Sequence, residues 1–460
     1  MTAIVPASAT AELAARLPRE LRLGAATAAY QIEGAAAVDG RGASIWDAFC
    51  RVPGAVDGGD SGDVACDHYH RWREDLDLMA GLGLETYRFS IAWPRVQPGG
   101  RGPLNPAGVD FYRRLAEGLR ARGIEPVATL YHWDLPLELQ EQGGWAARGT
   151  AERFADYAAE MAAALGDVVA AWITHNEPWV VAFLGHATGT KAPGVRDWRT
   201  AVAASHHLLL SHGLAVDALR AGTPAGTPIG ITFNLNPMRP ATDTDADRAA
   251  ALLADGQQNR WFLDAALRGA YPVDVLEAYE ARLGPLTAIR DGDLAIAARP
   301  LDFLGVNYYF PSRVAADREA PPLGYRGVPG HGELTAMGWE VDPGGLYELL
   351  IRLRREYGPL PISITENGAA FDDGEVTEGR LEDPRRVAYL QEHVAALAAA
   401  IADGVDVRRY HVWSLLDNFE WEHGYGKRFG IVHVDYATQR RTPKHSAHWY
   451  RDLIAARAGA

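Results

Sequence analysis

A chain of 460 residues with 48% hydrophobic residues can bury one large core, and no Pro/Gly/Ser-rich linker or shift in composition divides it. Its formal net charge of -14, spread without a basic block, argues against nucleic acid or an anionic membrane as partner and fits a neutral small molecule. Cys50 and Cys66 are too few for a disulfide framework in a chain this size and read as reduced thiols.

Residues 1 to 19 read as a lead-in, and residues 20 to 455 as a single domain. The first ten residues lack the basic stretch and long apolar run of a secretory signal, and no stretch approaches about 18 uninterrupted apolar residues. A soluble, cytoplasmic protein is the expectation. A first strand is expected from Leu21 to about Gln31, followed by a Gly- and Asp-rich loop from Val52 to Asp67. Trp72, Leu76, Met79 and Leu82 have helical spacing, and Thr86 to Ile91 reads as the second strand.

The alternation then continues. Helices near 107–122, 151–165, 200–220 and 247–267 separate strands at 125–132, 171–177, 228–234 and 302–309. Helices near 344–357 and 384–401 lead to strands ending at Glu366 and near Ser414, and a last helix begins near Lys444. Eight strand-then-helix units in series predict an α/β fold, a (β/α)8 TIM barrel. The bare barrel needs about 250 residues, so the surplus is expected in long loops around the C-terminal face. A doubly wound open sheet is the structural competitor, but no Gly-x-Gly-x-x-Gly follows any of the strands.

Two strands end in a carboxylate. Ile362 to Thr365 is a β-branched run stopped at Glu366 by Asn367-Gly368, and Ala171 to Asn176 stops at Glu177, where Pro178 blocks continuation. In one parallel barrel both would project at the C-terminal rim, where such barrels carry their chemistry. A pair of Glu residues flanking a bond can act as acid and nucleophile in acetal cleavage, because a carboxylate stabilises an oxocarbenium-like transition state. A strand-terminal Glu can equally be a capping or salt-bridging residue. The surrounding residues favour chemistry: Gln31, His132, Asn176 and Asn307 stand at other predicted strand ends, and Trp413, Glu420 and Trp421 follow the last strand. These supply the donors, acceptors and ring faces that a polyhydroxylated ring requires.

The segments Ala-Tyr-Gln-Ile-Glu-Gly (29–34), Tyr-Arg-Phe-Ser-Ile-Ala-Trp-Pro-Arg (87–95), Tyr-His-Trp-Asp-Leu-Pro (131–136), Asn-Glu-Pro (176–178), Asn-Tyr-Tyr (307–309), Ile-Thr-Glu-Asn-Gly (364–368) and Asp-Asn-Phe-Glu-Trp (417–421) resemble, in order, those of family 1 glycoside hydrolases. The resemblance implies a retaining β-glycosidase with Glu177 as general acid/base and Glu366 as nucleophile, with Arg88, expected at the end of the second strand, and Tyr309 beside the nucleophile, and no cofactor. Gln31, His132, Asn176 and Glu420 resemble the family's sugar-binding residues. Trp413 is similar to the ring platform, Trp421 to an indole donor, and Trp339 to a residue on the aglycone side. Glu420 implies an unphosphorylated sugar, because its charge would repel phosphate, and Glu at position 177 implies an O-glycosidase.

Two departures from the family pattern stand out: His175 where Phe is common, expected to alter the surroundings of Glu177, and Lys191 where His is common, expected to change the aglycone preference. The histidines at 68, 70, 206, 207 and 212 invite a metal reading, but positions 206 and 207 do not share a helix face and no His-Glu-x-x-His occurs, so no metal is expected. The expected activity is that of a β-glucosidase on cellobiose and aryl or alkyl β-glucosides, with side activity on β-galactosides or β-fucosides. A transglycosylase is the alternative within the class, and a non-catalytic sugar-binding protein the alternative outside it. A homo-oligomer is compatible with the sequence.

Overall fold

Strands covered on both faces are buried along their whole length, and every residue of the runs Thr86–Ser90, Ala171–Asn176 and Ile362–Asn367 is buried, the polar ones included. The computed structural model describes residues 7–459. Its central feature is a closed barrel of eight parallel strands: β1 Arg22–Ala26, β2 Thr86–Ser90, β3 Glu125–Tyr131, β4 Ala171–Asn176, β5 Ile229–Asn234, β6 Phe303–Asn307, β7 Ile362–Asn367 and β8 Val407–Trp413. Each strand pairs with its sequence neighbours, and β8 closes on β1 through Gly24 opposite His411. This is a (β/α)8 barrel.

The outer helices follow from apolar spacing. In Pro106–Ala121 the buried residues Gly108, Phe111, Tyr112, Leu115, Ala116 and Leu119 form one stripe, and a proline opens the helix where a missing N–H costs nothing. Helix Trp198–Gly222 is capped by Asp197, whose side chain accepts from the Thr200 N–H at 2.7 Å. No helix among the described residues is long and apolar enough to cross a membrane.

The structure differs from the sequence expectations in several places. Residues 1–6 of the expected lead-in lie outside the described residues, whereas Ala7–Ala15 form a helix packed on the final helix His445–Gly459, with Ala14 and Leu17 buried. The first strand stops at Ala26, and Gln31 belongs to a helical turn, Ala29–Ile32, because the Ser90 hydroxyl accepts from the Ala29 N–H at 2.7 Å. The helix expected over 247–267 is interrupted by a π turn at Gly256–Arg260, where Asn259 exchanges hydrogen bonds with the Asn236 backbone. A three-stranded sheet at Met238–Pro240, Ser312–Ala316 and Tyr325–Val328, and a hairpin of Val432–Asp435 with Arg440–Pro443, have no counterpart in the alternation read from the sequence.

Candidate active site

Bulges aim the site residues. Against β5, β4 shifts register between Ile173 and Asn176, and against β6, β7 shifts between Ile364 and Glu366. An extra residue in a strand re-aims the side chains that follow, a device common beside active sites. The bulge in β4 leaves Thr174 and His175 both facing the helices, with Asn176 turned to the barrel mouth. Glu177 follows in the left-handed region at φ 50, its N–H donating to the Thr232 carbonyl at 2.9 Å. After Glu366 the chain passes so close to β8 that a Cβ on Gly368 would lie 1.7 Å from the Trp413 carbonyl oxygen, so only glycine fits.

Glu366 and Glu177 are both buried, and their surroundings are opposed. Arg88 Nη1 donates to Glu366 Oε1 at 2.6 Å and the Tyr309 hydroxyl to Oε2 at 2.5 Å. Arg88 is itself fully buried, with Nη2 on Asn176 Oδ1 at 2.7 Å and Nε on the Thr129 hydroxyl at 3.0 Å. Burial raises the Glu366 carboxyl above its ordinary range, while Arg88, Tyr309 and Asn307 pull it back toward the anion. Glu177 receives one close donor, Asn307 Nδ2 at 2.6 Å. Burial, and next the charge of Glu366, push its carboxyl up to about 8. One amide, that of Asn307, therefore lies against both carboxyls, and its own oxygen is fixed by the Thr365 hydroxyl at 2.7 Å.

A cavity of about 360 Å³ opens onto the pair and is lined by His132, Tyr309, Trp339, Trp413, Glu420 and Trp421 among others. His132 Nε2 faces the Asn176 amide nitrogen at 3.0 Å, which leaves the ring proton on Nδ1; burial and Arg88 hold the ring neutral. Gln31 Nε2 donates to Asn418 Oδ1, the Phe419 carbonyl and Glu420 Oε2 at 2.9, 2.8 and 3.3 Å. His132 Nδ1 and Gln31 Oε1 are buried without a partner among the described residues. Orphaned polar atoms of this kind call for a polar ligand. The Trp413 and His132 rings stack at 5.9 Å, and Trp421 is wedged between Trp133 at 4.5 Å and Trp46 at 4.6 Å.

The residues expected at the site, Gln31, Arg88, His132, Asn176, Glu177, Asn307, Tyr309, Trp339, Glu366, Trp413, Glu420 and Trp421, converge on this cavity or on its supporting network. Three expectations change. Arg88 sits in the middle of β2, and its length carries the guanidinium up to the rim. His175 does not reach Glu177: the bulge turns it outward, where it stacks on Phe154 at 4.3 Å and its Nε2 meets the Ser211 hydroxyl at 2.8 Å. The repulsion of phosphate assigned to Glu420 weakens near neutral pH, because burial pushes this carboxyl up to about 8.

Other contributors were not singled out in the sequence. The Trp133 indole donates to the Asn176 carbonyl at 3.0 Å, Thr365 fixes Asn307, and Asn418 holds Gln31. Trp133 and Thr365 each adjoin a named site residue, His132 and Glu366, which is the signal that could have found them. The π-helical segment Val180–Thr188 supplies Val180 and Leu184 to the cavity wall and carries no comparable signal.

A parallel barrel with two buried carboxyls of opposed environment at its mouth, among hydrogen-bonding and aromatic groups, is the architecture of a glycoside hydrolase. Comparison with known proteins agrees. The family model described as "Glycosyl hydrolase family 1" matches residues 13–458. Beta-glucosidase A of Acetivibrio thermocellus is 46% identical over 439 residues, covering 95% of this chain and 98% of that protein. Thermostable beta-glucosidase B of Thermobispora bispora is 51% identical over 439 residues, 94% of this chain and 89% of that one. The crystal structure of the AHE enzyme from Alicyclobacillus herbarius matches with a TM-score of 0.94 at 51% identity, covering 96% of this chain and 98% of that one. The chain belongs to glycosyl hydrolase family 1 and is a glycoside hydrolase.

Proposed function

We propose that the protein is a retaining β-glucosidase that removes terminal non-reducing β-D-glucosyl residues from cellobiose and from aryl or alkyl β-glucosides. The observation that carries this reading is the asymmetry across Asn307: Glu366 faces a guanidinium and a phenol, whereas Glu177 faces an amide and another carboxyl. Glu366 is the nucleophile. Arg88 and Tyr309 favour its anion, which attacks the anomeric carbon as the glycosidic bond breaks. Glu177 keeps its proton at neutral pH and gives it to the departing oxygen. Having lost that proton, Glu177 is the base that takes one from the water attacking the glycosyl-enzyme, and Glu366 is released.

The glucosyl hydroxyls complete the orphaned Nδ1 of His132 and Oε1 of Gln31, with Glu420 beside Gln31 and the Trp413 ring beneath the sugar. Asn176, already oriented by Arg88, His132 and Asn307, faces the 2-hydroxyl, where a bond that strengthens in the transition state lowers the barrier. The names of the relatives, β-glucosidases, support glucose as the sugar. Residues 20–455 act as one catalytic unit. A cytoplasmic enzyme fed by short oligosaccharides from cellulose fits the buried free thiols Cys50 and Cys66.

The test is Glu366→Gly with p-nitrophenyl β-glucoside. Turnover falls by at least about a thousandfold, and added azide restores it with α-glucosyl azide as product. Turnover close to that of the unaltered enzyme, or rescue that yields a β-azide, removes Glu366 from the role.

A further inference from the structure

Resting on the reading above, we propose that the hydroxyls of Thr232 and Thr365 are a positioning pair, which holds the Asn307 amide with its nitrogen, and not its oxygen, toward the acid and the nucleophile. The three residues stand on adjacent strands, Thr232 in β5, Asn307 at the end of β6 and Thr365 in β7. Thr232 and Thr365 meet across β6 because a glycine lies at the crossing. Gly305 is opposite Thr232, and a Cβ on it would clash with the Thr232 hydroxyl oxygen.

The bonds run one way. Thr365 donates its single hydroxyl proton to Asn307 Oδ1 at 2.7 Å, so toward the Thr232 hydroxyl, 3.2 Å away, it can only accept. With Oδ1 taken, Asn307 turns Nδ2 to Glu177 Oε1 at 2.6 Å and to Asn176 Oδ1 at 3.0 Å, and the same amide lies against Glu366. Asn176 Oδ1 is itself an acceptor from Arg88, so the amide is held from both ends. Thr232, Asn307 and Thr365 are fully buried, and bulk water cannot stand in for a lost hydroxyl.

An N–H aimed at a carboxyl favours its anion, whereas an oxygen in the same place accepts the proton of the acid. Removing the Thr365 hydroxyl leaves Asn307 Oδ1 without its donor, weakens the N–H bonds polarised through it, and lets the amide turn over. Glu177 and Glu366 then both hold protons more tightly. The other charged and titratable groups around them are Arg88 on β2, Lys191 beyond β4, Tyr309 beyond β6 and Glu420 beyond β8. Among the described residues, only the Arg88 side chain of these bonds to either threonine, and it uses the Thr365 carbonyl, which a substitution leaves in place. The hydroxyls therefore reach both carboxyls through Asn307.

The experiment is the pH profile of kcat/KM for p-nitrophenyl β-glucoside in the unaltered enzyme and in Thr365→Val, Thr365→Ser and Thr232→Val, with folding checked by thermal melting. Valine keeps the branched shape and loses the hydroxyl. In Thr365→Val the acid and basic limbs both move to higher pH by about half a unit to one unit, the worth of one hydrogen bond. Thr365→Ser keeps the hydroxyl and the unaltered profile. Thr232→Val strips the support of the Thr365 hydroxyl but leaves its bond to Asn307, so both limbs move the same way by less; this variant carries the test if Thr365→Val does not fold. Limbs that stay in place overturn the proposal whatever the loss in rate, because a purely structural role lowers the plateau and leaves the limbs. A shift of equal size in Thr365→Ser overturns it too. An unaltered enzyme that cleaves no β-glucoside would instead sink the β-glucosidase reading itself.

Discussion

The two walls of the catalytic cavity are built on different terms. On the wall proposed to take the non-reducing sugar, Arg88, His132, Asn176 and Asn307 are fully or almost fully buried, stand on or just beyond four different strands, and bond to one another. On the wall that faces the leaving group, Trp339, Phe310 and Lys191 are half-buried, sit outside the barrel strands, and are held by a ring stack or a single ion pair. A buried network whose members satisfy one another is set before any ligand arrives, and its groups cost no reorganisation during reaction. The loosely held wall can change without disturbing the barrel. On the proposed function, the chemistry is fixed on one side, and the choice of leaving group is made on the other.

The fixed side should break hardest. Arg88→Met removes the cation from Glu366, takes one of two donors from Asn176 Oδ1 and leaves the Thr129 hydroxyl without its Arg88 donor. Losing one partner of a buried pair costs about 3–5 kcal/mol, seen as a lower denaturant midpoint, and turnover falls by about a thousandfold. Since Arg88 favours the Glu366 anion, the acid limb of kcat/KM also moves to higher pH in whatever activity survives. Activity and limb both unchanged would mean the network does not govern the nucleophile.

Glu177 comes next. Glu177→Ala slows substrates with poor leaving groups by about a hundredfold to ten-thousandfold, but spares the glycosylation step for activated phenols, which leave without a proton. In the unaltered enzyme kcat/KM falls above pH 8 or so, because the acid held up to about 8 then loses its proton, and this basic limb disappears in the variant. Stability follows the same sign. The folded carboxyl binds its proton more tightly than the unfolded one, so its contribution is complete below about pH 4.5 and is lost as pH rises through about 8. Glu177→Gln therefore gains Tm relative to the unaltered protein as pH rises across that window. Equal losses with good and poor leaving groups, together with a persistent basic limb, would remove Glu177 as the acid.

The contrast between the walls also explains what could be read in advance. Strands buried on both faces must be short apolar runs, and Glu366 and Glu177 stood out because each ends such a run. The bulges could not be read: nothing in Ile-Thr-His-Asn-Glu tells that His175 turns outward while Asn176 and Glu177 turn in. Nor does Gln31 announce that a serine on the next strand ends β1 early and places it on a helical turn. Trp339 was legible only through resemblance. The small sheet beside it is made of three- to five-residue strands, too short to show a periodicity, and its first strand is separated from the other two by several helices and a barrel strand.

Smaller effects belong to the second wall. Trp339→Ala removes the ring between Tyr309 and Phe310 and should lower kcat/KM for cellobiose by about tenfold. The effect should fall on KM, with hydrolysis of the covalent intermediate unchanged, since the leaving group has gone by then. A loss in the rate of that second step would place Trp339 on the fixed side of the comparison.

Lys191 should give the smallest change and the finest test of where the two walls meet. Its ammonium pairs with Glu422 and lies 5.4 Å from the Trp133 ring centre, on the leaving-group side, yet its charge lowers the proton affinity of both Glu177 and Glu420. Lys191→Met removes that charge, so both carboxyls hold their protons to higher pH and the basic limb of kcat/KM moves upward. The partly exposed ion pair is itself worth about 0–1 kcal/mol, so stability hardly changes and kcat at neutral pH should stay within roughly threefold. A limb that shifts with little change in rate would mean that the variable wall tunes the acid through space without touching it. A limb that stays in place would confine Lys191 to contacts with the leaving group and make the separation of the two walls complete.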